Sequence, residues 1–318
     1  MVVNGRSLLV SVIIVTHNRK DKLSCLLNSV FKSEYQPIEV IVVDDCSSDG
    51  TDVMIKREFP AVTFIRNNQE LELAASRNLG VKLSHGSYLF IIDDDNIIES
   101  KTIKNMVRTL DLRSSIAVLG PIAYYACNPE IIWGAGTKRG RFSQFSKFLG
   151  HNQAKGAWKN NSLIECDDFS NAFMVRQDAF RAIGGFDACC FPSHLGEADF
   201  CRRIKLCGFE KVVLDPQAIV WHDIPIMAAN QAFSRYLPRV SVAYEWERNR
   251  VILQRKYGSL MDYVSFMVLF EPVYIGIFLI LMLSISCSFS KKAKVISRMF
   301  RGVRDALVSG DRFCERIT

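Results

Sequence analysis

Early in the chain, short apolar runs recur at regular intervals: Leu8 to Val15, Ile38 to Val43, Val62 to Ile65 and Tyr88 to Ile92. Their centres, SVIIV, VIVV and YLFII, are apolar at consecutive positions instead of alternating. That pattern suits strands covered on both faces. Helical segments are predicted between them: RKDKLSCLLNSVF after Asn18, a segment capped by Ser48-Asp49, LELAASRNLGVKLSHG with Gly86 as its stop, and one starting near Glu99. Strand and helix alternating in this way predict an α/β fold with a mostly parallel, Rossmann-like sheet and helices on both faces.

After about residue 115 the pattern is mixed. IAVLGPIAYY is followed by the glycine- and aromatic-rich IIWGAGTKRGRF, then by AFMVR, a helix around Arg176 to Ile183, and the turn Gly184-Gly185-Phe186-Asp187. A helix from Glu197 to Cys207 and a strand pair within KVVLDPQAIVWH close this region. Residues 8–225 therefore read as one domain with halves 8–115 and 116–225, followed by a basic helical linker (226–258), an apolar segment (259–290) and a basic tail (291–318).

The apolar segment, YVSFMVLFEPVYIGIFLILMLSISCSF from Tyr263 to Phe289, has the length of one transmembrane helix of about 20 residues. Glu271-Pro272 interrupts it, and basic residues flank both ends: Arg255 and Lys256 before, Lys291, Lys292 and Lys294 after. A single span, a re-entrant or interfacial helix kinked at Pro272 with the tail KKAKVISRMFRGVRDAL amphipathic beside it, and core helices of a soluble protein are the three readings.

Composition narrows the class. The 318 residues are 49% hydrophobic and 23% charged, with a net charge of +7. The surplus crowds Arg235 to Lys256 and Lys291 to Arg304, either side of the apolar segment, which points to lipid head groups; no signature of a nucleic-acid-binding module accompanies it. Ten cysteines lie scattered, including Cys25, Cys127, Cys166, Cys207 and Cys287, with no CxxC pair, and Cys189 and Cys190 are adjacent. A reducing compartment is expected. Met1 to Arg6 lacks the features of a secretory signal.

In open α/β sheets ligands bind beyond the carboxyl ends of the strands. Those ends are polar or acidic here: Thr16-His17-Asn18, Asp44-Asp45 and Asp93-Asp94-Asp95-Asn96. Asp93-x-Asp95 places hard oxygen ligands where they can grip a divalent cation bridging a diphosphate. An acidic loop that caps the next helix has the same appearance, and Asp44-Asp45 before Ser47-Ser48-Asp49-Gly50 is also a turn signal.

Taken in order, SVIIVTHNR, IEVIVVDDCSSDGT, AASRNLG, YLFIIDDDN, GGFD, HLGEADFCRRIKLCGF and AIVWH resemble the family 2 inverting glycosyltransferases, rhamnosyltransferase-like members included, over roughly residues 8 to 222. The resemblance implies a GT-A fold, a nucleotide-diphosphate sugar donor bound by the first half, an acceptor bound by the second, and Mg²⁺ or Mn²⁺. It puts Thr16, Asn18, Asp44 and Asp45 near nucleobase and ribose, and Arg77 and Asn78 near diphosphate and sugar. Asp93 and Asp94 would face the donor, with Asp93, Asp95 and His222 around the metal. In relatives an acidic pair reading Glu-Asp-x-Asp-Leu-Cys supplies the base. Aligned on Asp199-Phe200-Cys201, this chain has Gly196 and Glu197 at the pair, so Glu197 is the base candidate and Asp199 its alternate. Arg77 could instead pair with Glu70 or Glu72, His222 could be an ordinary strand-end histidine, and Glu197 or Asp199 a helix cap.

The expected activity is transfer of a hexosyl or deoxyhexosyl group to a lipid-linked or polysaccharide acceptor, with the catalytic domain on the cytoplasmic side of a membrane and no nucleic-acid partner. A nucleotidyltransferase would carry a glycine-rich loop after the first strand, where this chain has THNRKDK. A degenerate nucleotide-sugar-binding membrane scaffold is the non-enzymatic alternative, opposed by the presence of Asp93, Asp95, Glu197 and His222.

Overall fold

The early apolar runs form adjacent parallel strands. In the computed structural model, which describes residues 8–141, 144–158, 162–208, 211–226, 240–284 and 288–314, the chain divides into two compact units. Met1 to Arg6, Arg235 and Cys287 lie outside the described residues.

The first unit comprises Met1–Lys138, Phe148–Ala188 and Gly196–Pro225. Its elements run β1 (Val10–Thr16), α1 (Lys20–Phe31), β2 (Ile38–Asp44), α2 (Thr51–Glu58), β3 (Thr63–Arg66), α3 (Glu72–Lys82), β4 (Tyr88–Asp93), β5 (Asn96–Ile98) and α4 (Thr102–Leu112). After these come β6 (Ile116–Tyr125), β7 (Asn128–Gly134), β8 (Thr137–Arg139) and β9 (Ser146–Phe148), the last two straddling the boundary between units in sequence, then β10 (Ile164–Glu165), β11 (Ala172–Arg176), α5 (Gln177–Ala182), α6 (Gly196–Leu206) and β12 (Lys211–His222). The main sheet has the order β10-β12-β6-β11-β4-β1-β2-β3, with β5 on β12 and β7 on β6. β4, β1, β2 and β3 are mutually parallel, whereas β11 runs antiparallel between β4 and β6.

Strand side chains alternate between faces, and the core divides accordingly. Val10, Val12 and Ile14 of β1 join Leu23, Leu26 and Leu27 of α1 and Ile103 and Met106 of α4 in one cluster. Ile13, between them, joins Ala74 and Val81 of α3 and Phe200 and Ile204 of α6 in the other. On that second face Gly80 lets α3 approach the sheet: a Cβ there would lie 2.7 Å from the Ile13 side chain.

Two local details depart from the sequence pattern. The residue at the start of α2 is Gly50, at φ +84°, while Asp49 accepts from Thr51 N (3.1 Å) and from Lys20 N (2.9 Å), so one carboxylate serves the first turns of both α1 and α2. KVVLDPQAIVWH is one strand, not a pair: pairing with β6 breaks between Asp215 and Ile219, around Pro216, and then resumes to His222. Proline cannot donate to the ladder, and a bulge absorbs it without ending the strand.

The second unit comprises Arg139–Lys147, Cys189–Leu195 and Ile226–Thr318. It contains α7 (Val240–Tyr257), within the stretch expected as a linker, then α8 (Leu260–Ser265), a π-helical segment (Phe266–Phe270), α9 (Glu271–Ser284) and α10 (Phe289–Cys314). Pro272 stands in the first turn of α9, directly after the π segment, which accommodates the missing donor. Ala243 of α7, Phe278 and Met282 of α9, and Val295 and Met299 of α10 form a common core. Gly302 brings α10 against α7, since a Cβ there would meet Tyr244 O at 2.4 Å. Arg250, fully buried on α7, pairs with Glu247 (2.7 Å) and Glu271 (3.0 Å) beneath the rings of Phe145 and Tyr274.

Candidate functional site

Strands β1, β2 and β4 end side by side, with Thr16 opposite Asp44 and Val15 opposite Asp93. Residues that follow them in sequence therefore converge at one edge. The acidic loop after β4 is tied down by its backbone: Asp93 N donates to Asn171 O (2.9 Å), Asn96 Nδ2 to Asp93 O (3.0 Å), and Asp223 N to Asp95 O (2.7 Å). Asn171 Nδ2 completes the brace by donating to Asn96 Oδ1 (2.9 Å).

The three aspartates have different partners. Asp94 accepts from Thr16 Oγ1 (2.8 Å) and from Arg19 Nη1 (3.0 Å). Asp95 accepts from the same Arg19 nitrogen (3.0 Å), and His222 Nε2 lies 3.3 Å from its other oxygen. Trp133 sets the His222 ring edge-on at 4.4 Å. Asp93 accepts from Arg77 Nη2 (2.7 Å), whose Nη1 donates to Glu197 Oε1 (2.5 Å). A buried arginine thus links a carboxylate at the end of β4 to one in the first turn of α6.

Environment separates these acids electrostatically. Burial, helped by Asp95 and Glu197 and opposed by Arg77, pushes Asp93 up to about 7. Burial also raises Asp94 against the pull of Arg19. For Asp95, burial is outweighed by His222, then Arg19 and Lys22, and its carboxyl is held below the usual range.

The remaining candidates are engaged as follows. Asp45 receives Asn67 Nδ2 (2.7 Å), Leu71 N (2.8 Å) and Glu72 N (2.9 Å), so it holds the start of α3. Asp44 Oδ1 accepts from Ser47 N (3.0 Å). Asn18, at φ +51°, accepts from Ser48 N (2.7 Å). Both Asp44 and Asp45 therefore organise turns at the same edge to which they contribute carboxylates. Asn78 clamps the Gly184-Gly185-Phe186-Asp187 turn: its Oδ1 accepts from Phe186 N (2.9 Å) and its Nδ2 donates to Phe186 O (2.8 Å). Phe186 in turn lies under the Arg77 guanidinium, 5.3 Å from it. Asp199 is fully buried and accepts from Arg203 Nε (2.8 Å), so Glu197 and Asp199 face different cations. Arg77 pairs with Asp93 and Glu197, not with Glu70 or Glu72.

For a divalent cation, the donor chemistry is present in part. His222 Nδ1 is buried and lacks a hydrogen-bond partner among the described residues, while the buried Asp95 Oδ1 has His222 Nε2 beside it at 3.3 Å. Carboxylate oxygen suits Mg²⁺ or Mn²⁺, and an imidazole beside it favours the transition ion Mn²⁺ of the two. Among the described residues no group of three or more ligating side chains is drawn together as a metal cluster, and Arg19 and Arg77 neutralise the acids instead.

Residues 11–184, more than half of the chain, match the model of the family described as glycosyl transferase family 2. The chain belongs to glycosyltransferase family 2. Among its relatives is an uncharacterized glycosyltransferase of Haemophilus influenzae, 33% identical over 34% of this chain and 36% of that protein. Another is the Escherichia coli UDP-Glc:alpha-D-GlcNAc-diphosphoundecaprenol beta-1,3-glucosyltransferase WfaP, 32% identical over 32% of this chain and 41% of that protein. The chain thus matches about two fifths or less of the length of these relatives. Among solved structures, GalNAc-T7 with UDP, GalNAc and Mn²⁺ superposes with a TM-score of 0.59 at 18% identity, over 81% of this chain and 54% of that one. The family 2 chain has the GT-A fold.

Within that fold, sequence reasoning missed Arg19, Asn171, Trp133 and Phe186. Arg19 closes the SVIIVTHNR motif, and a basic residue directly beyond a strand end facing acidic loops was its signal. Asn171 and Trp133 join the site through pairing across the sheet and Phe186 through the turn that Asn78 clamps, long-range contacts that no local pattern records.

Proposed function

We propose that this protein is an inverting glycosyltransferase that moves a hexosyl or deoxyhexosyl group from a nucleoside diphosphate sugar to a hydroxyl of a lipid-linked or polysaccharide acceptor at the cytoplasmic face of a membrane. The observation that carries this reading is the Asp93–Arg77–Glu197 bridge beside the Asp95–His222 pair. It supports a site with a base on one side and a leaving-group pocket on the other. The name of the E. coli relative, which acts on a diphosphoundecaprenol-linked sugar, supports a lipid-linked acceptor here, and the apolar α8–α9 segment supports a membrane location.

In this mechanism Glu197 accepts the proton of the acceptor hydroxyl as its oxygen attacks the anomeric carbon and the bond from that carbon to the diphosphate oxygen breaks, giving inversion in one displacement. Arg77 holds Glu197 and Asp93 in place. Thr16, Asn18, Asp44 and Asp45 shape the nucleoside end of the donor site, with Asp94 beside them. Asn78 acts through the turn it clamps. Asp95 and His222, with Asp93 adjacent, would hold Mg²⁺ or Mn²⁺, which when bound would offset the charge developing on the departing diphosphate.

The test is a panel of UDP-, GDP- and dTDP-sugars with the purified full chain in Mn²⁺, read first as thermal stabilisation and then as transfer. Glu197→Gln is expected to retain donor binding and lose transfer by roughly 10²- to 10⁴-fold. Asp95→Ala is expected to lose Mn²⁺ binding. Normal transfer by Glu197→Gln with a dead Asp199→Asn would reassign the base, and donor binding without any turnover would favour the scaffold reading.

A further inference from the structure

The segment Leu260–Met282 contains an 18-residue stretch of mean hydropathy 2.2, only 17% of which is buried. Most of that stretch is therefore not buried as the core helix of a soluble protein would be. Its exposed residues form an outer stripe that includes Leu260, Met261, Val268, Leu269, Val273 and Ile280, all more than half exposed.

The inner side of the same segment is not available to lipid. Phe266, Phe270 and Tyr274 surround Arg250 of α7, Glu271 pairs with it, and Phe278 and Met282 share their core with Ala243 of α7 and Val295 and Met299 of α10. From Phe266 to Phe278 the segment thus lies along α7, a distance of about 18 Å at the helical rise. A hydrocarbon core is about 30 Å thick. If α8–α9 crossed it, α7 would be drawn in alongside, and with it Glu245, Glu247, Arg248 and Arg250; α10 would bring Lys294 and Arg298, the neighbours of Val295 and Met299. Arg and Lys at the centre of a spanning helix are each strongly disfavoured. An in-plane placement requires none of this, because only the outer stripe enters the acyl region.

Charge complements that placement. Lys291, Lys294, Arg298, Arg301 and Arg304 of α10 are exposed. Lys294 and Arg298 share one exposed face of α10 with Phe289, Ser290, Ala293 and Ser297. Apolar residues beside an exposed cationic helix face match the boundary between acyl chains and phosphate head groups.

We infer that the second unit is a monotopic platform: α8–α9 lies in the plane of one leaflet without crossing it, and α10 binds the head groups of anionic phospholipids in that leaflet. This rests on the proposed membrane location but not on the proposed reaction.

Two measurements test it on the full chain. With short epitope tags at both ends, protease added to sealed inverted membrane vesicles should remove both tags or neither, because both ends lie on one side. Removal of one tag alone means that the segment spans and overturns the inference. In flotation with synthetic vesicles, binding should be several-fold stronger with phosphatidylglycerol included than with phosphatidylcholine alone, and Lys294→Glu/Arg298→Glu should weaken it by about twenty-five-fold, at roughly fivefold per basic residue. Binding indifferent to phosphatidylglycerol and to that double change overturns the head-group assignment. Sugar transfer lost with both results intact would instead indict the proposed reaction.

Discussion

Asn78→Ala removes the two hydrogen bonds, 2.8 and 2.9 Å long, that hold both backbone groups of Phe186. The choice matters because the motif resemblance puts Asn78 beside the donor, whereas the structure uses its whole amide on the turn. Neutral hydrogen bonds contribute about 1 kcal/mol each, so the pair is worth about 2 kcal/mol. Phe186 is 4% exposed, which adds a penalty for its orphaned groups, but Asn78 is only half-buried and water can replace part of its amide. About 2 kcal/mol is therefore the expected net loss. Hydrogen exchange reads it locally: the Phe186 amide should exchange about thirtyfold faster, at 1.4 kcal/mol per decade. The effect should extend to Arg77, whose guanidinium rests on the Phe186 ring, and should appear as weaker transfer with donor affinity little changed. Asn78→Asp keeps the acceptor for Phe186 N but turns an oxygen toward Phe186 O, so it should be as damaging at neutral pH and partly recover in acid, when the carboxyl can donate. Unaltered exchange at Phe186 together with lost donor binding in Asn78→Ala would refute this account and return Asn78 to the donor.

Burial, opposed by Arg250 and reinforced by Glu271, raises Glu247 from 4.5 to about 8. The folded chain therefore retains a proton that the unfolded chain releases, so this contribution to stability is complete below about 4.5 and is lost as pH rises through about 8. Urea unfolding followed through the second unit should give a higher midpoint at pH 5.5 than at pH 8.5, and Glu247→Gln should flatten the difference. Arg19→Gln removes a cation that pairs with Asp95, the proposed metal ligand; because Arg19 is partly exposed, the gain should be about 1 kcal/mol, or roughly fivefold tighter Mn²⁺ binding by calorimetry without nucleotide. Unchanged affinity would show that Arg19 does not compete. Gly302→Ala places a methyl 2.4 Å from Tyr244 O and should destabilise the second unit by about 1–3 kcal/mol in thermal unfolding; a neutral result would mean that α7 and α10 separate freely.

Much of the first unit was legible because its signals are local. Doubly covered parallel strands read as unbroken apolar runs, and β1, β2, β3 and β4 all occur where those runs predicted them, within one or two residues. The strand-end acids were equally visible, since topology alone brings the ends of β1, β2 and β4 together. What was not legible depends on distant pairing. The sequence offers Glu70 and Glu72 as near partners for Arg77, but β4 and α6 bring Asp93 and Glu197 to it instead. KVVLDPQAIVWH read as a strand pair, whereas pairing with β6 carries one strand through a bulge around Pro216. The basic stretch before the apolar segment read as a linker because the burial of Arg250 rests on aromatic residues as distant in sequence as Phe145.

The Arg77 bridge sets a rule for exchanging parts between relatives. One of its carboxylates, Asp93, belongs to the first half of the sheet, and the other, Glu197, to a helix that follows the antiparallel strands. A hybrid joining residues 8–115 of this chain to the second half of a relative brings a foreign helix to a resident arginine. If that helix has no acid at the matching position, a guanidinium sealed from water keeps only one counter-charge. If it presents the acid one helical position away, the ion pair and the proposed base are displaced together. Compatibility between halves should therefore follow the geometry of this single contact more closely than overall sequence identity, and hybrids that fold well but fail to transfer are expected to be those in which it is mismatched.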